Sequence, residues 1–129
     1  MKKFSDFYFD IHGELKENYP LASLTWFKVG GPAQLLFIPE NKDDLIKFIK
    51  TCPIKYPKTI IGAGSNLLIS DLGLKGLTLC MRRLQGLKID KKQGLIHAFA
   101  GESIPNLCRQ AGKAGLHGLE WAVGIPGTV

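Results

Sequence analysis

The stretch Ile60–Ser70, "IIGAGSNLLIS", sets three small residues (Gly62, Ala63, Gly64) and two small polar ones (Ser65, Asn66) between two apolar runs. Such a segment is either a bare turn or a cradle for a phosphate, and the reading of the fold turns on which. As a dinucleotide fingerprint it fails. Leu67 stands where the third glycine belongs, and "LLIS" reads as a strand where that fingerprint opens a helix. A Walker A loop fails too, for want of Gly-Lys-Ser/Thr. A different arrangement fits: successive backbone N–H groups of a small-residue turn converge on an anion with no helix behind them. Gly62 and Gly64 permit positive φ and close approach of the main chain to a ligand, while Ser65 and Asn66 add side-chain donors.

Two more small-residue loops follow. "AGES" (Ala100–Ser103) ends a strand and opens a helix, where N–H groups point outward and favour negative charge. "GIPGT" (Gly124–Thr128) is an exposed-backbone loop stiffened by Pro126. Each alone reads most simply as a turn or a helix start. Together they could line one elongated groove, which suits a ligand with a diphosphate and flat rings.

Around these loops the chain alternates short elements. Phe4, Phe7, Tyr8, Ile11 and Leu15 recur at helical spacing, so residues 1–20 are expected to be a helical segment, weakened near Gly13. "TWFKVGGPAQLLFIPE" reads as a loop with a double-glycine turn leading into a strand over Gln34–Ile38. Asn41 is a good N-cap, Asp43 and Asp44 complement the dipole of the helix it starts, and Pro53 and Pro57 end that helix after about ten residues. "KTIIGAG", "NLLIS", "GLTLCM", "GLKID" and "GLIHAFA" read as short strands. Ser103 caps a second helix with Ile104, Leu107, Cys108 and Ala111 on one stripe and Gly115 at its C′ position. The order is that of an α+β domain, not a regular βαβ alternation.

Bulk composition narrows the function. At 129 residues the chain is of single-domain size, with ordinary hydrophobic (45%) and charged (22%) content. No apolar run reaches the length of a membrane span, and Asp6, Asp10 and Glu14 interrupt any leader, so a cytoplasmic location is expected. The net charge of +6 is scattered, and an RNA-binding aromatic signature is missing. An anionic small molecule is therefore a better partner than nucleic acid. Cys52, Cys80 and Cys108 form no CxxC pair and read as free, mostly buried thiols, with no zinc site. His12, His97 and His117 lie far apart and read as structural or solvent-facing; Arg82 and Arg83 read as a solvated strand end, with contact to a phosphate as the alternative, and Glu120 and Trp121 as loop anchors, with a place beside a flavin as the alternative.

The stretches "LTWFKVGGPAQLLFIPENKDDL", "IIGAGSNLLISDLGLKGLTLCM" and "AFAGESIPNLCRQAGKAGLHGLEWAVGIPGTV" carry VGGPA, GAGSNLL, GLxGLE and GIPGT in that order. In this the chain, over Leu21–Val129, resembles the N-terminal part of the UDP-N-acetylenolpyruvoylglucosamine reductase (MurB) family. The resemblance implies an FAD-binding domain of the vanillyl-alcohol-oxidase (PCMH) type over residues 21–129, apparently truncated at the apolar "EWAVGIPGTV". It implies a cytoplasmic flavoenzyme of peptidoglycan synthesis in which NADPH reduces FAD, and FAD reduces UDP-N-acetylglucosamine enolpyruvate to UDP-N-acetylmuramate. By matching motif, Gly62, Ala63, Gly64, Ser65, Asn66 and Leu67 would hold the FAD pyrophosphate. Gly101, Glu102 and Ser103 would lie along the cofactor. Gly124, Ile125, Pro126, Gly127 and Thr128 would run beside the ribityl chain and isoalloxazine ring. Val29–Pro32 would be a scaffold turn near the adenine. The family's catalytic serine, arginine and glutamate would all come after Val129, which leaves this chain a cofactor cradle with no catalytic residue. A stand-alone FAD- or nucleotide-binding module, a related FAD-linked oxidase domain and a basic nucleic-acid binder are the competing readings.

Overall fold

The computed structural model describes residues 10–52 and 56–129. Its main sheet has four strands: β1 (Glu14–Pro20), β2 (Pro32–Ile38), β3 (Lys58–Ile61) and β4 (Leu74–Cys80), in the spatial order β1-β2-β4-β3. β1 runs antiparallel to β2, whereas β2 and β3 both run parallel to β4. A two-stranded antiparallel ribbon, β5 (Leu87–Asp90) and β6 (Leu95–Ala98), stands apart from it. Two ten-residue helices, α1 (Lys42–Thr51) and α2 (Ile104–Lys113), complete the fold, with 3-10 turns at Leu21–Leu24 and Glu120–Ala122.

Both faces of the sheet are covered, so successive residues are buried over Leu35–Phe37 in β2 and Gly76–Cys80 in β4. On one face Leu35, Phe37, Leu77, Leu79 and Met81 pack with Phe48 and Cys52, the rings of Phe37 and Phe48 stacked at 4.0 Å. On the other, Leu21, Ala33, Leu36, Ile61, Ile69 and Cys80 form a second cluster. Ala33–Leu35 in β2 faces Leu74–Leu77 in β4, so β4 carries an extra residue there, and Ala33 packs in the cluster of Leu36 rather than that of Leu35.

Local chemistry places the helices as the sequence predicts. The Asn41 side chain accepts from the Asp44 N–H at 3.0 Å, and Ser103 accepts from the Asn106 N–H. Gly115 follows the Ala114 C-cap with φ +78°. Asp44 does more than complement a dipole. Its buried carboxylate accepts from the N–H groups of His12, Gly13 and Glu40 at 2.8–3.0 Å, tying the lead into β1 to the start of α1. Burial pushes that carboxyl up, and the three donors more than reverse it, holding it below its ordinary value.

Two expected elements differ. Leu15 lies in strand β1, so residues 14–20 are not part of a helix; the part of the helical segment carried by Phe4, Phe7 and Tyr8 lies outside the described residues. The periodicity of these apolar residues was misleading because Leu15 packs beside Ile11 against a sheet face, where a two-residue alternation governs. "NLLIS" is not a strand either. The Ser70 carbonyl accepts from Gly31 and Gly73, so this segment fastens the double-glycine turn while Leu68 stays exposed.

Candidate functional site

The parallel strands β3 and β4 end together, with Ile61 opposite Cys80. The loops that leave these ends, Gly62–Leu67 and Met81–Gln85, face one another. Clefts beyond the carboxyl ends of parallel strands are the usual place for ligands in sheets of this kind. Here the third and fourth walls come from the turn at Ala100–Ser103 and from Gly124–Thr128, which are laced together. Ser103 bridges Thr128, the Ile104 N–H donates to Gly127 O, and the Val129 N–H donates to Glu102 O. The Asn66 side-chain amide reaches Pro126 O, and Ala63 N–H reaches the Thr128 hydroxyl at 3.3 Å. The three loops singled out in the sequence thus meet around one cleft of about 590 Å³.

Not every residue of those loops faces the cleft. Ala63, Ser65, Gly101, Ser103, Pro126, Gly127 and Thr128 line it. Gly62, Gly64, Asn66, Leu67, Glu102, Gly124 and Ile125 do not. Gly64 is buried against the Leu24 carbonyl with φ +69°, and a Cβ there would lie 2.0 Å from that oxygen. Glycine is required. Glu102 turns into the structure, its buried carboxylate accepting from Gly86 N–H, Ser103 N–H and the Asn106 side chain at 2.8–3.2 Å. The Asn106 amide, then the Gly86 N–H, hold its carboxyl below the ordinary glutamate range against the pull of burial.

The start of α2 offers few free donors among the described residues. Its N–H groups are occupied: Ser103 by Glu102 Oε1, Ile104 by Gly127 O, Asn106 by Ser103 Oγ, and Pro105 has none. The loop after β3 is the opposite. Among the described residues, the N–H groups of Gly64, Ser65 and Asn66 donate to no protein acceptor. The Ser65 hydroxyl is buried in the cleft lining with no hydrogen-bond partner. A buried orphan hydroxyl beside unengaged amides is a cost that a bound oxyanion relieves.

Other walls were missed in the sequence. Ser23, Thr25, Trp26 and Lys28 enter from the connection between β1 and β2, and Arg82, Gln85 and Pro105 from elsewhere. Nothing periodic marks that connection; its signal in the sequence is the run of aromatics and lysine in "TWFK". Arg82 is the main correction. It is not a solvated strand end, since its guanidinium donates to the carbonyls of Gly62, Leu24 and Ala63 at 3.2, 2.5 and 2.6 Å. Arg83 is the exposed one, paired with Glu14 and Glu40. Val29–Pro32 is a scaffold turn that does not line the cleft.

The remaining candidates stand aside from it. His97 is exposed on β6, and His117 faces solvent beside Glu120. Glu120 does anchor its loop, accepting from Gly118 N–H, and the Trp121 indole N–H donates to Gly118 O while its ring stays exposed. The three cysteines are free and buried, and no metal-ligating cluster occurs among the described residues. No helix among them is long and apolar enough to cross a membrane.

An α+β sheet with a cleft of main-chain donors at its parallel-strand ends is a frame for an anionic ligand, and comparison with known proteins narrows the class. The FAD binding domain family matches residues 33–129, and the chain belongs to that family. Its sequence is similar to the UDP-N-acetylenolpyruvoylglucosamine reductases of Synechococcus sp. (strain CC9311), 53% identical over 118 residues, and Prochlorococcus marinus (strain MIT 9313), 56% over 110. These matches cover 91% and 84% of this chain but 38% and 36% of the relatives. Its fold is similar to the crystal structure of UDP-N-acetylenolpyruvylglucosamine reductase (MurB) from Thermus caldophilus, with a TM-score of 0.63 and 33% identity over 92% of this chain and 40% of that one. The chain therefore spans about two fifths of the length of the reductases it matches.

Proposed function

We propose that the cleft holds FAD with its diphosphate over Gly64–Asn66, and that the chain serves the NADPH-dependent reduction of UDP-N-acetylenolpyruvoylglucosamine to UDP-N-acetylmuramate in the cytoplasm. One observation carries the first half: unengaged amides and an unpartnered, buried Ser65 hydroxyl at the meeting point of three loops. The names of the relatives support the second half. Bound FAD supplies a hydride carrier between NADPH and the enolpyruvyl double bond. The residues of this chain do the holding. Ser65, on the cleft wall, would give phosphate oxygens its N–H and its unpartnered hydroxyl, with the unengaged amides of Gly64 and Asn66 on either side of it, and Gly127 and Thr128 would flank the remainder of the cofactor.

Among the described residues, the cleft lining contains no carboxylate, histidine, cysteine or tyrosine. The donors it does carry, the Lys28 ammonium and the hydroxyls of Ser23, Thr25, Ser65, Ser103 and Thr128, would bind and orient the cofactor. Equilibrium dialysis of the chain against FAD and riboflavin tests the reading. Charge-assisted hydrogen bonds to the diphosphate should favour FAD by on the order of 10- to 100-fold. Equal retention of the two, or of neither, would contradict it. Supplied with FAD, NADPH and the enolpyruvyl sugar without oxygen, the chain alone should give no multiple turnovers of UDP-N-acetylmuramate.

A further inference from the structure

A trans peptide unit fixes one relation that decides how the loop after β3 works: the C=O of one residue and the N–H of the next point in opposite directions. The Gly62 and Ala63 carbonyls are both turned to the Arg82 guanidinium, at 3.2 and 2.6 Å. The next carbonyl, that of Gly64, accepts from the Trp26 N–H at 3.0 Å. With three successive carbonyls held on one side, the N–H groups of Ala63, Gly64 and Ser65 are thrown to the other. The first of these meets the Thr128 hydroxyl, and the other two are unengaged among the described residues. The same guanidinium also holds Leu24 O at 2.5 Å, and Leu24 is the residue whose carbonyl backs Gly64.

We propose that Arg82 is a positioning residue for the diphosphate cradle, acting through the peptide planes of Gly62 and Ala63 and not as a counter-ion to the ligand. Its planar fork reaches three carbonyls at once. The lysine ammonium carries the same charge, but as a single point it cannot reproduce that spread of directions. The charge-only account and the positioning account therefore separate on one conservative substitution. The proposal rests on the FAD reading given above.

The experiment is the ratio of FAD to riboflavin affinity, measured by equilibrium dialysis for the wild-type chain, Arg82→Lys and Arg82→Met, with folding followed by circular dichroism. Wild type reports on the FAD reading: without a preference for FAD, that reading and this proposal fall together. Given that preference, Arg82→Lys should lose it about as fully as Arg82→Met, a drop in the ratio of on the order of 10-fold or more, while riboflavin affinity changes little. A general loss of structure would lower both affinities and leave the ratio unmoved. Addition of ethylguanidinium, and not ethylammonium, should restore part of the ratio in Arg82→Ala. Retention of the wild-type ratio by Arg82→Lys would overturn the proposal and make Arg82 a counter-ion. Outright unfolding of both Arg82→Lys and Arg82→Met would overturn it as well, by assigning Arg82 to the fold.

Discussion

The loop after β3 and the loop before α2 look alike as sequence. "GAGSN" and "AGES" are both short, glycine-containing and serine-bearing, and both follow strands. The second even has the stronger claim on general grounds, because it opens a helix. Their structures part on one point, the destination of each backbone N–H. At Ser103, Ile104 and Asn106 every donor has a protein acceptor, one of them supplied by the neighbouring Gly127. At Gly64, Ser65 and Asn66 none does among the described residues, and a hydroxyl is left buried without a partner beside them. A helix start that is fully capped stabilises the fold, whereas the donors of the other turn are the ones the proposal gives to a ligand.

Substitutions can break this contrast, and the largest effect should come at Gly64. Gly64→Ala places a Cβ against the Leu24 carbonyl at a positive φ, so folding should weaken by about 2 kcal/mol or more and FAD retention should vanish with the loop geometry. Urea denaturation and dialysis read the two effects separately. Glu102 comes next. Glu102→Ala strips Gly86, Ser103 and Asn106 of their shared acceptor, an expected loss of about 2 kcal/mol in denaturant stability. Since α2's amides are not the proposed ligand donors, chain that remains folded should still prefer FAD to riboflavin.

The same carboxylate sets a pH dependence. Glu102 and Asp44 both have lowered pKa values in the folded chain, Glu102 chiefly through Asn106, and Asp44 through its three N–H donors against burial. Their contribution is present above the ordinary carboxylate range and is lost as pH falls through the lowered folded values. Stability should therefore fall below about pH 4, and Glu102→Gln should flatten part of that fall in denaturation curves taken at several pH values.

Ser65 gives the smallest change and the sharpest sign. Ser65→Ala removes a buried hydroxyl that has no partner, so the ligand-free chain should be unchanged or more stable by about 0.5–1 kcal/mol. FAD affinity should move the other way, falling by roughly 5- to 10-fold. Loss of stability with unchanged affinity would assign Ser65 to the fold.

Much of this was legible in the chain. Asn41 and Ser103 declared their helices through cap chemistry, and "GLTLCM" and the run from Gln34 to Ile38 declared β4 and β2 as strands. The three loops of the cleft were legible as small-residue segments, but not their division of labour. Glu102 was invisible as an inward anchor because its partners Gly86 and Asn106 come from a strand lead-in and a helix turn. Arg82 read as a strand-end charge because its three acceptors are main-chain carbonyls, to which sequence assigns no position. Leu15 misled for a related reason: its spacing from Ile11 fits a helix, while the pairing with Phe37 that makes it a strand residue is remote in sequence.

The most direct test of the contrast between the two loops is amide NMR of the chain titrated with FAD. The account predicts the largest shifts and the strongest protection from exchange at Gly64, Ser65 and Asn66, with Ser103, Ile104 and Asn106 nearly unmoved. Saturable shifts centred on Ser103–Asn106, with Gly64–Asn66 unchanged, would contradict it and return the anion site to the helix.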